Sequence, residues 1–174
     1  MNDPNPHLVE RMQGHRLSIF AEMSTLALET GAINLGQGFP DTDGPSEVLD
    51  AAVAAIRAGH NQYPPDRGIP ELRQAVADHQ RRFYGLDVDP ADVMVSTGAS
   101  EALGASILAL VEPGQEVVVF EPYFDLYAAI IELAGGVRRS VTLRAPDYSF
   151  DQADLEAAIG PDTRLILLNT PHTP

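Results

Sequence analysis

Two short apolar runs, VVVF at 117–120 and LILL at 165–168, constrain the fold more than any other feature of the 174 residues. A strand with one wet face alternates polar and apolar residues, whereas an unbroken apolar run calls for cover on both faces. Helical patterns separate the strands, so the runs imply a parallel sheet clothed by helices. From Asp89 onward the order is a strand at 92–96 (DVMVS), a helix at 99–111 and a strand at 116–121. A helix at 123–135, a strand at 137–143, a helix at 150–160 with Asp151 as N-cap, and a strand at 164–169 follow. The predicted class is α/β.

Upstream, three helices are predicted from apolar spacing and from Gly and Pro punctuation. The first covers 15–30, with Leu17, Phe20, Met23, Leu26 and Ala27 on one stripe and Gly31 as its stop. The second starts at Pro45, carries Leu49, Ala52, Val53 and Ile56, and stops at Gly59. The third starts at Pro70, carries Leu72, Ala75, Val76, His79 and Phe83, and has Gly85 beyond its end. Spacing alone makes these stripes core-packing faces.

Composition narrows the function classes. With 11 basic and 25 acidic residues the formal net charge is −14, a surface that repels phosphate backbones and anionic membranes, so neither nucleic acid nor membrane is an expected partner. The chain has no cysteine, which removes disulfides, thiolate metal sites and a cysteine nucleophile. Its five histidines, His7, His15, His60, His79 and His172, lack ligand spacing, and no metal site is assigned. The polar N-terminus has no signal-peptide core and no run is long enough to span a bilayer, so a cytoplasmic protein is expected. Every basic residue is arginine; there is no lysine.

Two stretches suggest chemistry. VSTGASEAL (95–103) is a strand, a small turn at Gly98 and a helix start, and the free N–H groups and dipole of such a start form an anion site. Ser96, Thr97 and Ser100 could add hydroxyl donors, although simple helix capping accounts for the same residue types. The stretch is neither a Walker loop nor a GxGxxG fingerprint. EPYF (121–124) puts an aromatic pair at the carboxyl edge of the sheet, able to stack on a planar ring or to pack as rim. NLGQGFPD (34–41) and NQYPPDRG (61–68) are turn-rich loops. No Ser/His/Asp arrangement or paired-carboxylate motif is present. A phosphorylated aromatic cofactor would suit the anion site and the ring together.

In this order, NLGQGFPD, NQYPPDRGIPELR, VSTGASEAL, EPGQEVVVFEPYFDLY and LILLNTPHTP resemble the class I/II aminotransferases. These are pyridoxal-phosphate enzymes with the aspartate-aminotransferase fold; the likeness is strongest to the kynurenine/glutamine and N-succinyldiaminopimelate aminotransferase group. The resemblance implies the three-layer large domain of fold type I, with 1–45 as an N-terminal arm and small-domain segment and 46–174 as the first part of the large domain. By the same resemblance, Gly98, Ala99 and Ser100 hold the cofactor phosphate and Phe124 stacks on its ring. Tyr63 reaches the phosphate of a neighbouring subunit, which implies a homodimer. Gly38 and Asn169 belong to substrate binding, Asn169 being the first asparagine of the motif N-x-P-x-N-P. The second asparagine of that motif, which bonds the ring's phenolic oxygen, is replaced by the shorter Thr173.

The family's essential lysine lies downstream of this loop, as do the aspartate on the ring nitrogen, a second tyrosine on the ring oxygen and the arginine for the substrate carboxylate. The chain is therefore expected to be a truncated form, without a catalytic residue of its own and inactive as it stands. The implied reaction is amino-group transfer between an amino acid and a 2-oxo acid. Two alternatives stay open: a cysteine-conjugate β-lyase on the same fold, and a non-catalytic remnant or docking fragment whose sheet would end on an exposed edge at 165–168.

Overall fold

The computed structural model describes residues 5–15, 18–36, 38 and 40–171. The helices and strands, in chain order, are α1 (Ile19–Thr30), α2 (Ser46–Arg57), α3 (Pro70–Tyr84), α4 (Gly98–Leu110), β1 (Glu116–Glu121), α5 (Leu126–Leu133), β2 (Val137–Thr142), α6 (Gln152–Ala158) and β3 (Thr163–Leu167). The chain forms two compact units, Met1–Gly36 with Ala99–Pro174, and Gln37–Gly98.

The first unit holds a three-stranded sheet in the order β2-β1-β3, both pairings parallel, as the helix-separated strands require. Val117, Val118 and Val119 of the central strand are each fully buried, so both of its faces are covered, and burying each valine contributes about 2 kcal/mol. Val117 and Val119 join Ile107 and Val111 from α4 and its exit turn, and Ile130 and Ile131 of α5, in one core; Leu103, Tyr123, Leu126, Leu165 and Leu167 pack around it. Ser18 caps α1 by accepting from the Ala21 N–H at 3.2 Å, and Asp151 caps α6 by accepting from the Ala153 N–H at 2.9 Å. Upstream of α1, Arg11 Nε donates to the Leu133 carbonyl at 3.1 Å, and His15 Nε2 pairs with Glu132 Oε2 at 2.7 Å, tying the N-terminal segment to the end of α5.

The second unit comprises α2, α3 and the segment that follows. Arg73 on α3 organises it: its Nε donates to the carbonyls of Pro90 at 2.9 Å and Val93 at 3.0 Å, and its Nη2 donates again to Pro90 at 2.6 Å. Gly68 sits at φ +95°, a conformation costly for any residue with a Cβ. A Cβ there would also come within 2.5 Å of Val95 Cγ2.

Four expectations are corrected. Residues 92–96 are not a strand: a 3-10 turn occupies Pro90–Asp92, and the Val95 N–H donates to the Arg67 carbonyl at 3.1 Å. The backbone donor that a ladder would have used is satisfied by a loop. Second, the LILL run is not covered on both faces. β3 pairs with β1 alone among the described strands, its burial alternates, and Ile166 and Leu168 are exposed. Third, among the described residues the stripes of α1, α2 and α3 bury no residue, the one buried residue of α3 being Ala77, off its stripe, because helical spacing creates an apolar face but burial needs a facing surface; Leu17 lies outside the described residues. Fourth, Pro45 is the N-cap of α2 rather than its first helical residue, and the helices expected at 123–135 and 150–160 are the shorter α5 and α6. Among the described residues no helix is long and apolar enough to cross a membrane.

Candidate functional site

In an α/β sheet, ligands gather outside the carboxyl ends of the strands. The α4 helix of 13 residues and the β1 strand of six are each about 20 Å long. Between them the chain reverses through the turn at 111–115, and the helix lies along the strand through Ile107 and Val111 against Val117 and Val119. The first turn of α4 is thereby brought to the carboxyl end of β1. The loops that leave β1 and β3 start from the same edge, because the strands are parallel, and they carry Phe124 and Asn169.

The entry to α4 is built for a close-approaching group. Gly98 opens the helix at φ +79°, and a Cβ placed on it would meet nothing within 4 Å. The glycine is required there by backbone angle, and the space beside it is open. The Gly98 N–H donates to the Ser96 carbonyl at 2.8 Å and Ser96 Oγ donates to the Gly98 carbonyl at 3.0 Å, closing a tight turn before the helix. Ala99 and Ser100 follow in the first helical turn, exposed, where N–H groups have no partner within the helix. Glu101 shares that turn and favours the helix through the dipole.

Phe124 is half-buried in the turn between β1 and α5. Its ring centroid lies 6.2 Å from Phe20 of α1, tilted by 43°, and 5.9 Å from Tyr127 of α5, edge-on at 82°. The same edge is braced by Thr142 Oγ1, which donates to Glu121 Oε1 at 3.1 Å. Among the described residues of this unit, the carboxyls held below their usual range are Glu116, by the Arg139 guanidinium at the amino end of β1, and Asp147, by the Ser149 hydroxyl and N–H in the turn after β2.

The structure brings Ala99, Ser100, Phe124 and Asn169 to one edge of the sheet unit, with Gly98 next in the chain to Ala99. Asn169 is half-buried. Gly38 and Tyr63 belong to the Gln37–Gly98 unit; Gly38 is exposed and Tyr63 is 99% exposed. Thr173 lies outside the described residues. Sequence reading passed over Phe20 and Tyr127 as packing partners of the Phe124 ring. The i, i+3 spacing of Phe124 and Tyr127 was a usable signal for one of them, but nothing local announces a contact from Phe20, 104 positions away by the numbering.

A helix N-terminus opened by glycine supplies donors for a phosphate, and an aromatic face on the same edge supplies a stacking surface; together they fit a phosphorylated aromatic group. A parallel sheet with that arrangement at its carboxyl edge is the large-domain pattern of fold type I pyridoxal-phosphate enzymes. The description "Aminotransferase class I and II" matches residues 30–174, and the chain belongs to that family. It is 47% identical over 170 residues to a probable N-succinyldiaminopimelate aminotransferase of Mycobacterium tuberculosis, covering 95% of this chain and 43% of that protein. It is 44% identical over 158 residues to methionine aminotransferase of Escherichia coli, covering 90% of this chain and 41% of that one. The solved structure of the M. tuberculosis N-succinyldiaminopimelate aminotransferase superposes with a TM-score of 0.89 at 46% identity, over 96% of this chain and 44% of that chain. The chain thus spans less than half the length of these relatives.

Proposed function

We propose that the whole protein is a pyridoxal-phosphate-dependent aminotransferase, exchanging an amino group between an amino acid and a 2-oxo acid. The observation that carries this reading is that the α4 N-terminus and the loops that carry Phe124 and Asn169 share one sheet edge, in a chain of this family. When bound, the cofactor supplies an electrophilic carbonyl and an electron sink. Ala99 and Ser100 would hold its phosphate through first-turn N–H groups and the Ser100 hydroxyl, with Gly98, whose own N–H is given to the Ser96 carbonyl, turning the backbone into the helix beside it. Phe124 sets the plane of that ring and keeps water from one side of it. Asn169 and Gly38 are each assigned to substrate binding, and threonine at 173, where the motif has the asparagine for the ring oxygen, has the shorter side chain.

Tyr63 reaches the phosphate site of a second subunit, which makes the functional form a homodimer in the cytoplasm. The arm and small-domain segment at 1–45 and the large-domain segment at 46–174 are the parts of the enzyme that this chain contributes. Its residues include no lysine, so the covalent hold on the cofactor carbonyl is assigned outside them, and by themselves they are inactive.

The test is made on the full-length gene product. A visible cofactor band, a borohydride-stable cofactor adduct, and one-for-one formation of a new 2-oxo acid from an amino acid and a 2-oxo acid are expected. A full-length protein with neither band nor adduct overturns the proposal. Release of pyruvate and ammonia from a cysteine conjugate with no acceptor present would replace transfer by β-elimination.

A further inference from the structure

Phe124 is one member of an unbroken aromatic chain. From Phe20 the contacts run to Phe124 at 6.2 Å, from Phe124 to Tyr127 at 5.9 Å, and from Tyr127 to Tyr123 at 6.3 Å with the last pair stacked at 21°. The Arg138 guanidinium of β2 lies 5.2 Å from the centre of the Tyr123 ring and closes the series with a cation–π contact. The chain is thus anchored at one end on α1 and at the other on β2. Tyr127 is its hinge: it is 8% exposed, and its N–H donates to the Phe124 carbonyl at 3.0 Å.

Apolar burial alone explains neither the residue types nor the order. Leucine or isoleucine would fill the same space, as Ile107 and Ile131 do in the adjoining core. An edge-to-face pair does what aliphatic packing does not: the match of positive ring edge to negative ring face is lost when either ring turns, so the plane of one fixes the plane of the other. The stacked Tyr123 and the cation above it hold Tyr127 in turn.

We propose that Tyr127 is a positioning residue that sets the ring plane of Phe124, and that Tyr123 and Arg138 hold Tyr127 in place. This rests on the reading of Phe124 as the stacking partner of a bound cofactor ring. Tyr127 itself touches no cofactor; its effect is passed on through Phe124.

The experiment uses the full-length protein loaded with pyridoxal phosphate, and reads the visible circular dichroism per bound cofactor together with the cofactor dissociation constant. Tyr127→Leu is expected to diminish the dichroic band and to weaken binding by about twofold to tenfold, the range an aromatic pair is worth. Tyr127→Phe, which keeps the edge-to-face contact, is expected to restore both. Tyr123→Leu serves as the second variant should Tyr127→Leu fail to fold, with a smaller shift in the same direction. A Tyr127→Leu or Tyr123→Leu protein that melts earlier but keeps the wild-type dichroic band and affinity overturns the proposal and leaves these rings as packing alone. Failure of the underlying reading looks different: Phe124→Leu would then leave the band and affinity unchanged, or the wild-type protein would bind no cofactor, and the positioning role would fall with it.

Discussion

In the sheet unit, Phe124 is half-buried against Phe20 and Tyr127, and Ala99 and Ser100 stand on a helix that packs into a core of fully buried valines. In the Gln37–Gly98 unit, Tyr63 is 99% exposed, and a Cβ placed on Gly38 would meet nothing within 4 Å. Both sets of residues were singled out by sequence. The first set is held by its own unit, so its position follows from local packing. The second set is exposed in its own unit, and under the proposed function Tyr63 acts on a second subunit. The two sets therefore differ in how far their own unit holds them, whatever each binds.

The largest expected effect tests the packing side of that contrast. Val118→Asp places a carboxylate in the fully buried middle of β1 and is expected to destabilise by more than about 4 kcal/mol, abolishing a cooperative melt. Val48→Asp, on a residue of α2 that is 63% exposed, is expected to change stability by no more than about 0.5 kcal/mol. An equal loss from both would break the comparison, and would mean that the whole protein buries the apolar face of α2.

Next in size is Gly68→Ala. The substitution forces a Cβ onto a backbone at φ +95° and into Val95, and is expected to cost about 2–3 kcal/mol by thermal or urea unfolding. A loss below about 1 kcal/mol would mean that the loop before α3 relaxes freely and that the unit is held by Arg73 alone.

How much of this was legible depends on what each residue leans on. The α4 N-terminus was readable because Gly98 and the small polar residues around it act through their own backbone, and β1 was readable because three successive valines need cover on both faces. The segment at 92–96 misled because strand propensity does not include a partner: Val95 gave its N–H to Arg67, a choice made 28 positions away. LILL misled for the same reason, as apolarity records what a strand can bury and β3 has one described neighbour. The stripes of α1 to α3 are the general case, since periodicity shows a face and not what meets it. The contact of Phe20 with Phe124 was invisible because it joins rings 6.2 Å apart in space and far apart in sequence.

A smaller effect is expected from acid. Glu116 at the start of β1 accepts two hydrogen bonds from Arg139 of β2, and this pairing holds its carboxyl below the ordinary value of 4.5. In acid the unfolded chain takes up this proton before the folded one does, so the contribution is complete above the ordinary glutamate value and is lost as pH falls through the lower, folded one. Arg139 is 53% exposed, so solvent screens the pair and the effect should be well below that of Gly68→Ala. Melting temperatures of the wild type and Glu116→Gln, followed from pH 7 toward pH 3, are expected to converge in acid. A gap that stays constant over that range would mean that the substitution acts through packing and not through charge.

The smallest effect on the fold is expected at Tyr63, where it is the most informative. A side chain that is 99% exposed has little local packing to lose, so Tyr63→Phe should change the melting temperature of the cofactor-free protein by an amount corresponding to less than about 0.5 kcal/mol. If its hydroxyl reaches a phosphate in a second subunit, the same variant should weaken retention of pyridoxal phosphate by about tenfold, as losing a hydrogen bond to a charged group does. Mixed dimers locate the contact. In a heterodimer of Tyr63→Phe with a Ser100→Ala subunit, reach across the interface puts both defects at one site and leaves the other intact, so half the sites bind normally. Reach within a subunit puts one defect in each site and leaves none intact. That second result would move Tyr63 to the class of residues whose own chain explains them, and the difference between the two units would then be one of exposure only.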